Sequence, residues 1–252
     1  MNIIFSILLI ALINLSIIFP RDSAYLLKHG ERSMGIFQPR IYGLNEKMEF
    51  STHPILFFIK PNMKLKIFHG QKKEIGIASR YSLDYPTPLL KLIQHRNNFA
   101  FISEDPDIGE IQNLLVLKGE LLGTKKYLNY FLTAKLGISI CPGCKMDTRH
   151  LIDYDLVYPR MAIYNYGIGA NMGLDWDYTY SGKISLKADL DLLFLPEEHP
   201  FIEHKFLLHY SLSDKYTISG GYKFCYGYYP FSNEKGLWNL FPILDLKWKW
   251  KK

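Results

Sequence analysis

The chain has 252 residues, which suits one sizeable domain or two small ones, and 48% of its residues are hydrophobic. No stretch after residue 19 reaches about 18 uninterrupted apolar residues, which argues against helical membrane spans there. The net charge of +6 is mostly scattered singly along the chain rather than gathered in a patch, which argues against a nucleic-acid-binding surface.

Residues 1–19 are almost entirely apolar and are followed by Pro20-Arg21-Asp22-Ser23-Ala24. This pattern predicts a secretory signal peptide over residues 1–24, cleaved near Ala24, and one exported domain over residues 25–252. An uncleaved anchor helix is the alternative interpretation. Because no Cys lies near the junction, lipoprotein processing is unsupported.

The first third of the exported domain alternates only weakly between apolar and polar residues. It predicts five strands, near residues 33–42, 47–52, 63–68, 74–83 and 88–94. Residues 53–61 form an apolar connection bounded by Pro54 and Pro61.

From residue 131 onward, period-two alternation dominates, over residues 131–140, 162–180, 184–192, 216–228 and 244–250. The C-terminal segment is the clearest, because apolar and aromatic residues alternate with charged ones, so that the two sets face opposite sides of a strand. Phe131 is the one misfit of the first segment. The segment 162–180 is far longer than the usual strand of about 5–6 residues in a soluble sheet.

Connection lengths also alternate. Short turns are predicted near Ser213-Asp214, Ser181-Gly182 and Gly123-Thr124, and longer connections at 229–236, 196–200, 141–159 and 94–110. Short turns on one side and long loops on the other are typical of outer-membrane barrels. We therefore predict an all-β, closed antiparallel transmembrane β-barrel of about 12 strands, with 10 as the alternative and both termini in the periplasm.

A soluble lipocalin-like barrel is the architectural alternative, and it would bury Trp248 and Trp250 around a ligand cavity. The polar faces, however, are rich in Gly, Ser and Asn, which suits a crowded or water-filled lumen better than a soluble surface.

The predicted barrel places one charged set in the lumen and one aromatic set at the membrane interfaces. The lumen charges are Lys135, Asp175, Asp177, Lys187, Asp189, Asp191, Lys223, Asp245, Lys247 and Lys249. The aromatic girdles are Trp176, Tyr178, Trp248 and Trp250 at the periplasmic rim, and Tyr226 and Tyr228 at the outer rim. The charges predict either a selective pore or an ion-pair network that plugs a narrow barrel.

The terminal strand 242–250 resembles the C-terminal signal of bacterial outer-membrane β-barrel proteins, in which alternating apolar residues end in an aromatic, although Lys251-Lys252 follow here. The segments Gly35-Ile36-Phe37-Gln38-Pro39, Ser51-Thr52-His53-Pro54, Tyr85-Pro86-Thr87-Pro88 and Leu156-Val157-Tyr158-Pro159-Arg160 are similar to stretches of a group of uncharacterised exported barrel proteins. The resemblance covers most of the exported domain and implies fold and location only. It implies the outer-membrane bilayer and the barrel-assembly machinery as partners.

Cys141-Pro142-Gly143-Cys144 is the most conspicuous chemical motif. A redox pair, a zinc site shared with Asp147, His150 or Asp153, and a disulfide are all compatible with this spacing. An exported setting favours a disulfide pinning an external loop. Cys225 is expected to be a small buried residue.

Enzymatic candidates are weak. His209 and Ser211 share a strand face, and Glu197, Glu198, His199 and His204 surround one loop, but such groupings arise by chance. We therefore expect no metal, no cofactor and no catalytic residue. The expected function is a passive conduit or solute-binding channel with a charged lumen. The alternatives are a sealed structural or adhesive barrel that presents external loops, and an outer-membrane enzyme acting on lipid or protein.

Overall fold

A computed structural model describes residues 22–36, 38–54, 56–58, 60–94, 112–144, 158–229 and 236–251. These residues form twelve strands: β1 (Glu31–Gly35), β2 (Arg40–Gly43), β3 (Met48–Thr52), β4 (Asn62–Lys72), β5 (Ile75–Asp84), β6 (Val116–Lys126), β7 (Tyr130–Ile140), β8 (Ile168–Thr179), β9 (Ile184–Phe194), β10 (Phe201–Ser211), β11 (Tyr216–Tyr228) and β12 (Gly236–Lys251). Three short helices accompany them: α1 (Thr87–Gln94), α2 (Tyr158–Met161) and α3 (Ile163–Tyr166).

The strands form one closed barrel in which each strand pairs antiparallel with its neighbours in sequence. The barrel closes between the first and last strands, where Glu31 to Gly35 of β1 pair with Lys251 to Lys247 of β12. Closure removes every exposed sheet edge, which is what a membrane-spanning sheet requires because lipid cannot pair with free backbone groups. The predicted closed barrel of about twelve strands is confirmed.

The two ends of the barrel differ. At one end, which we call the short-turn end, links of two to four residues connect β2–β3, β4–β5, β6–β7, β8–β9 and β10–β11, and β12 also ends there. At the other, the loop end, the connections include α1 and the pair α2–α3. Gly123 and Thr124, expected in a turn, lie instead inside β6, and the turn follows at residues 127–129.

Three strand predictions were wrong in detail. Residues 33–42 form two strands, because a break at Ile36–Pro39 interrupts pairing. Residues 88–94 belong to helix α1, since Thr87-Pro88 supplies a polar first residue followed by a proline that fits the first helical turn. Residues 162–180 begin with helix α3, which ends where Gly167 adopts a left-handed φ of 71°, and only then continue as β8. Among the described residues, no helix is long and apolar enough to cross a membrane.

Burial is inverted relative to a soluble barrel. Outward apolar side chains are exposed, such as Leu244 at 70% and Leu136 at 56%, whereas the buried set includes ten or more charged residues of the inner face. The lipocalin-like alternative required the opposite arrangement, so the described residues contradict it. The interior is thus polar and charged, and the apolar surface faces outward, as in barrels that lie in a bilayer.

Candidate functional site

The candidate site is the barrel lumen, because the charged side chains converge there. Of the ten predicted lumen charges, Lys135, Asp175, Asp189, Asp191, Lys223 and Asp245 are buried. Asp177, Lys187 and Lys247 lie half-buried towards the short-turn end, and Lys249 is exposed at the rim. All ten side chains occupy inward positions, because alternate residues of a strand point to the same face. Their exposed fraction rises towards the short-turn end of the barrel.

Lys135 lies at the centre of the lumen network. Its Nζ is 2.7 Å from Asp175 Oδ1 and 2.7 Å from Asp191 Oδ1, so that one cation bridges two carboxylates from different strands. Asp189 of β9 forms an ion pair with Lys205 of the neighbouring strand β10. Nearer the short-turn end, Lys187 Nζ lies 3.0 Å from Asp177 Oδ1. These pairs hold the walls of the lumen together across neighbouring strands.

Further members of the network come from outside the predicted set. Arg80 donates from Nε to Glu120 Oε2 at 2.7 Å and also pairs with Asp22. Lys118 Nζ lies 2.9 Å from Glu120 Oε1. Arg80, Lys118 and Glu120 lie on strands β5 and β6, whose apolar and polar residues alternate only weakly. The one sequence feature that could have identified them as lumen residues is a charged side chain within a strand.

A second group lies higher, towards the loop end. Glu203 accepts from Arg160 Nε at 2.9 Å, and its Oε1 lies 2.9 Å from Lys223 Nζ in an ion pair. Arg160 belongs to α2, which therefore folds into the lumen rather than away from it. Burial would lower the pKa of Arg160, but Glu203 and Asp191 raise it well above its ordinary value, so the guanidinium stays charged. A period-two reading of β10 would have placed Glu203 and Lys205 in the lumen, since both share a face with His209.

Above the central network lies a chamber of about 160 Å³. Its charged lining comprises six cationic and four acidic side chains: Lys60, Lys64, Arg80, Lys118, Lys135, Arg160, Asp22, Asp84, Glu120 and Asp191. Helices α1 and α3 close part of it with apolar groups, including Leu89 and Ile163. Tyr164, buried at the same wall, has a pKa raised well above its ordinary value by burial and by Asp84, so its hydroxyl stays neutral. The chamber is therefore polar below and apolar above, with a formal excess of positive charge.

The weak catalytic candidate does not assemble. His209 Nδ1 lies 2.5 Å from Ser219 Oγ, whereas Ser211 Oγ contacts Thr217 Oγ1 at 3.4 Å instead. His209 and Ser219 are buried in the lumen. His209 therefore contacts Ser219 and not Ser211, the partner that the sequence suggested.

Of the loop residues that the sequence considered as metal ligands, two of the described ones contact aromatic side chains. Glu198 accepts from the Tyr166 hydroxyl at 2.7 Å, and the ring of His199 packs 4.7 Å from that of Tyr228. Asp147, His150 and Asp153 lie outside the described residues. In the described part of the chain, one trio of carboxylates converges: Asp22, Asp175 and Asp189. Since Arg80, Lys135 and Lys205 already pair with these groups, they do not need a metal ion to balance their charge.

Cys141 and Cys144 form a disulfide at the loop end, and Cys225 is buried. The predicted girdle residues lie on outward positions near the two barrel ends. On β8, the rings of Trp176 and Tyr178 stack with their centroids 5.5 Å apart. Trp248 of β12 pairs with Tyr216 of β11. Tyr226 and Tyr228 lie at the opposite end, where Tyr228 pairs with Gly236.

Comparisons with solved structures return outer-membrane proteins. A bacterial polysaccharide outer-membrane secretin matches with a TM-score of 0.45 and 8% identity, over 88% of this chain and 70% of that chain. OmpT of Vibrio cholerae matches with a TM-score of 0.43 and 7% identity, over 84% of this chain and 63% of that chain. The outer-membrane channel DcaP of Acinetobacter baumannii matches with a TM-score of 0.42 and 7% identity, over 84% and 61%. The chain spans less than two thirds of the length of the last two.

No protein-family model matches the chain, and no curated protein shows significant sequence similarity to it. The scores to solved structures are too low to carry an activity. Strand order, closure and inverted burial give the chain the architecture of a transmembrane β-barrel.

Proposed function

We propose that this protein is an outer-membrane barrel that binds a small anionic solute in the chamber at the loop end of its lumen. The observation that carries the proposal is the charge of the chamber, where six cationic side chains meet four carboxylates in a volume of about 160 Å³. That volume suits an anion of the size of phosphate or a short carboxylate. An excess of one charge sign in a narrow cleft concentrates counter-ions of the other sign.

Two lysines make the chamber selective for anions. Lys60 and Lys64 line the wall contributed by β4 and by the connection before it. Three of the four acidic groups of the chamber, Asp22, Glu120 and Asp191, pair with Arg or Lys side chains. A bound anion would therefore meet a lining with a net positive charge.

The location follows from the outer surface. Exposed apolar residues cover the wall between the two aromatic zones, and such a surface is stable in contact with lipid rather than with water. The apolar residues 1–19 supply an export signal. We therefore propose localisation in a bacterial outer membrane, with the lipid bilayer and the barrel-assembly machinery as partners.

The test is phosphate binding to the mature protein purified from bacterial outer membranes, measured by titration calorimetry. Replacing Lys64 with Gln should weaken phosphate binding about tenfold, the equivalent of losing about 1.4 kcal/mol. Lys60→Gln should act in the same direction. Lys183→Gln, at an exposed turn of the short-turn end, removes the same charge far from the chamber and should change nothing. Equal affinities in Lys64→Gln, Lys60→Gln and wild type, or no phosphate binding at all, would contradict the proposal.

A sealed structural barrel is the second candidate, and one observation favours it: the described lumen is filled across its middle by the ion pairs around Lys135. Conductance in planar bilayers distinguishes an open conduit, which would conduct, from a solute-binding barrel or a sealed structural barrel. A barrel that neither conducts nor binds phosphate, with insertion confirmed independently, would support the structural role.

A further inference from the structure

Residues 22–28 run inside the barrel rather than outside it. They precede β1, which begins at the short-turn end. From Lys28 at that end back to Asp22, the chain lies within the lumen. Ser23 and Ala24 are only 1% and 0% exposed, and Asp22 reaches Arg80 near the middle of the barrel. We call residues 22–28 the inner segment.

Hydrogen bonds from three different strands hold the backbone of the inner segment. The carbonyl of Ser23 accepts from Lys66 Nζ of β4 at 3.2 Å. The Ala24 N–H donates to Thr124 Oγ1 of β6 at 2.7 Å, and the Leu27 N–H donates to Glu49 Oε2 of β3 at 2.8 Å. Buried backbone groups need such partners, and here lumen side chains supply them.

Packing supports the same placement. The ring of Tyr25 lies 5.9 Å from Phe68 and 5.8 Å from Phe131, measured between centroids. Phe131, the residue that broke the alternation of β7, thus has an inward aromatic partner. Gly76 leaves room for Tyr25, because a Cβ there would lie 3.1 Å from the ring.

Gly43 leaves room for the backbone of the inner segment. A Cβ at Gly43 would overlap the carbonyl oxygen of Lys28, so any larger residue must displace the segment or the strand. Several inward positions of the barrel wall are therefore shaped to this stretch of chain.

We propose that the inner segment stays in the mature protein as a plug that closes the lumen from the short-turn end. The signal peptide is accordingly removed before Asp22 rather than near Ala24. Cleavage after Ala24 would remove one of the two carboxylate partners of Arg80 and the carbonyl that receives Lys66. It would also remove the N–H that donates to buried Thr124. Of the inner segment, Asp22 also lines the anion chamber, whereas residues 23–28 lie outside its lining.

The first test is the amino terminus of the protein purified from outer membranes, read by intact mass and N-terminal sequencing. The proposal expects a chain that begins at or before Asp22. A mature chain that begins at Tyr25 or later would overturn it.

The second test is conductance in planar bilayers. A variant that lacks residues 22–29 should show discrete current steps several-fold larger than those of the wild type. Gly43→Ala, which displaces the segment without removing it, should also raise conductance. Gly119→Ala is the matched control, because nothing lies within 4 Å of a Cβ there. Wild-type conductance in the truncated and in the Gly43→Ala barrels, with insertion verified by resistance to SDS, would overturn the plug.

If the truncated barrel fails to fold, Thr124→Val provides a milder variant, since it keeps the segment and removes the acceptor for the Ala24 N–H together with the bond to Thr133 Oγ1. The plug predicts that Thr124→Val raises the accessibility of a cysteine placed at Ser23 to a water-soluble maleimide. Unchanged protection of that cysteine would contradict the proposal.

Discussion

The first three strands and the last nine are built on different principles. Residues 31–52, which we call the N-terminal sector, contain β1, β2 and β3 of four or five residues each, whereas β4 to β12 have 10 to 16 residues. β1 meets β2 only through Arg32–Tyr42 and Ser33–Ile41. Contacts inside the barrel also stabilise the sector, because Glu49 accepts a hydrogen bond from the Leu27 N–H of the inner segment and forms an ion pair with Lys66. The longer strands hold together by continuous ladders, and their lumen charges bridge neighbours that are already paired.

This contrast has a physical consequence. A sector with short ladders depends on specific interior contacts, so that single substitutions there should loosen it locally. Long ladders distribute their stability, so that local loss requires an unsatisfied buried charge or a direct clash of backbone with side chain.

The largest effect is expected in the long-strand region at Glu203, which is 2% exposed and pairs with both Arg160 and Lys223. Glu203→Gln takes the carboxylate from buried Lys223 and leaves Arg160 with Asp191 alone, so the free energy of unfolding should fall by about 3–5 kcal/mol. Urea titration of the barrel in detergent micelles, followed by Trp fluorescence, measures the change. Glu74→Gln removes an exposed partner of Lys125 at 3.8 Å and serves as the control. Equal unfolding midpoints for the two variants would show that the lumen pairs contribute nothing.

A pair of adjacent glycines tests whether the long ladders tolerate added bulk. A Cβ at Gly221 would overlap the carbonyl oxygen of Phe206, whereas one at Gly220 would lie 4.0 Å from its nearest neighbour, Leu244. Gly221→Ala should therefore cost about 1–3 kcal/mol of unfolding free energy, as overpacking does. Gly220→Ala should leave the urea midpoint close to the wild-type value. The reverse order of the two midpoints would contradict the ladder geometry described for β10 and β11.

Glu49 tests the dependence of the N-terminal sector on the interior. Glu49→Gln weakens the pairing with Lys66, at 3.1 Å, and the bond from the Leu27 N–H. Amide hydrogen exchange should then accelerate in β1 to β3 by at least tenfold, while β9 and β10 keep their wild-type protection. Uniform acceleration over the whole barrel would instead mean that the sector and the long strands unfold as one unit.

The smallest effect is expected from the cation–π contact between Arg32 and Tyr42, where the guanidinium carbon lies 4.9 Å from the ring centroid. Arg32→Ala should reduce the unfolding free energy by about 0.5–1 kcal/mol. Tyr42→Leu should have a similar effect, and the double variant should lose less than the sum. Strict additivity in this cycle would show that the two side chains do not interact.

Sequence patterning predicted the two regions unequally. Unbroken alternation over β9, β11 and β12 identified strands and faces together, so inward Asp189, Lys223 and Asp245 could be placed from sequence. The N-terminal sector offers only four or five residues per strand, with a break at residues 36–39, and its first two strands, β1 and β2, were therefore predicted as one. Helix α1 was missed because its apolar run was read as a strand, although Thr87-Pro88 is a helix-start signal.

The lumen contents were harder to predict than the wall. Arg160 lies on a short helix within a loop, and its contact with Glu203 depends on how that loop folds into the barrel. From the sequence alone, the start of the inner segment was interpreted as a signal-peptide junction. Asp22, Ser23 and Ala24 follow the apolar residues 1–19 and show no strand pattern. Contacts between segments distant in sequence leave no periodic trace, so the chamber and the plug could emerge only from the folded chain.

The most direct test of the account is the environment of the outer wall, measured by spin-label accessibility in lipid vesicles. Labels would be attached at Leu244→Cys and Leu136→Cys in a Cys225→Ala background, with Leu128→Cys in the exposed β6–β7 turn as the reference. The account predicts that oxygen, which partitions into lipid, relaxes the labels at positions 244 and 136, while a water-soluble nickel chelate reaches only position 128. Ready access of the nickel chelate to positions 244 and 136 would contradict a barrel whose apolar wall faces the membrane.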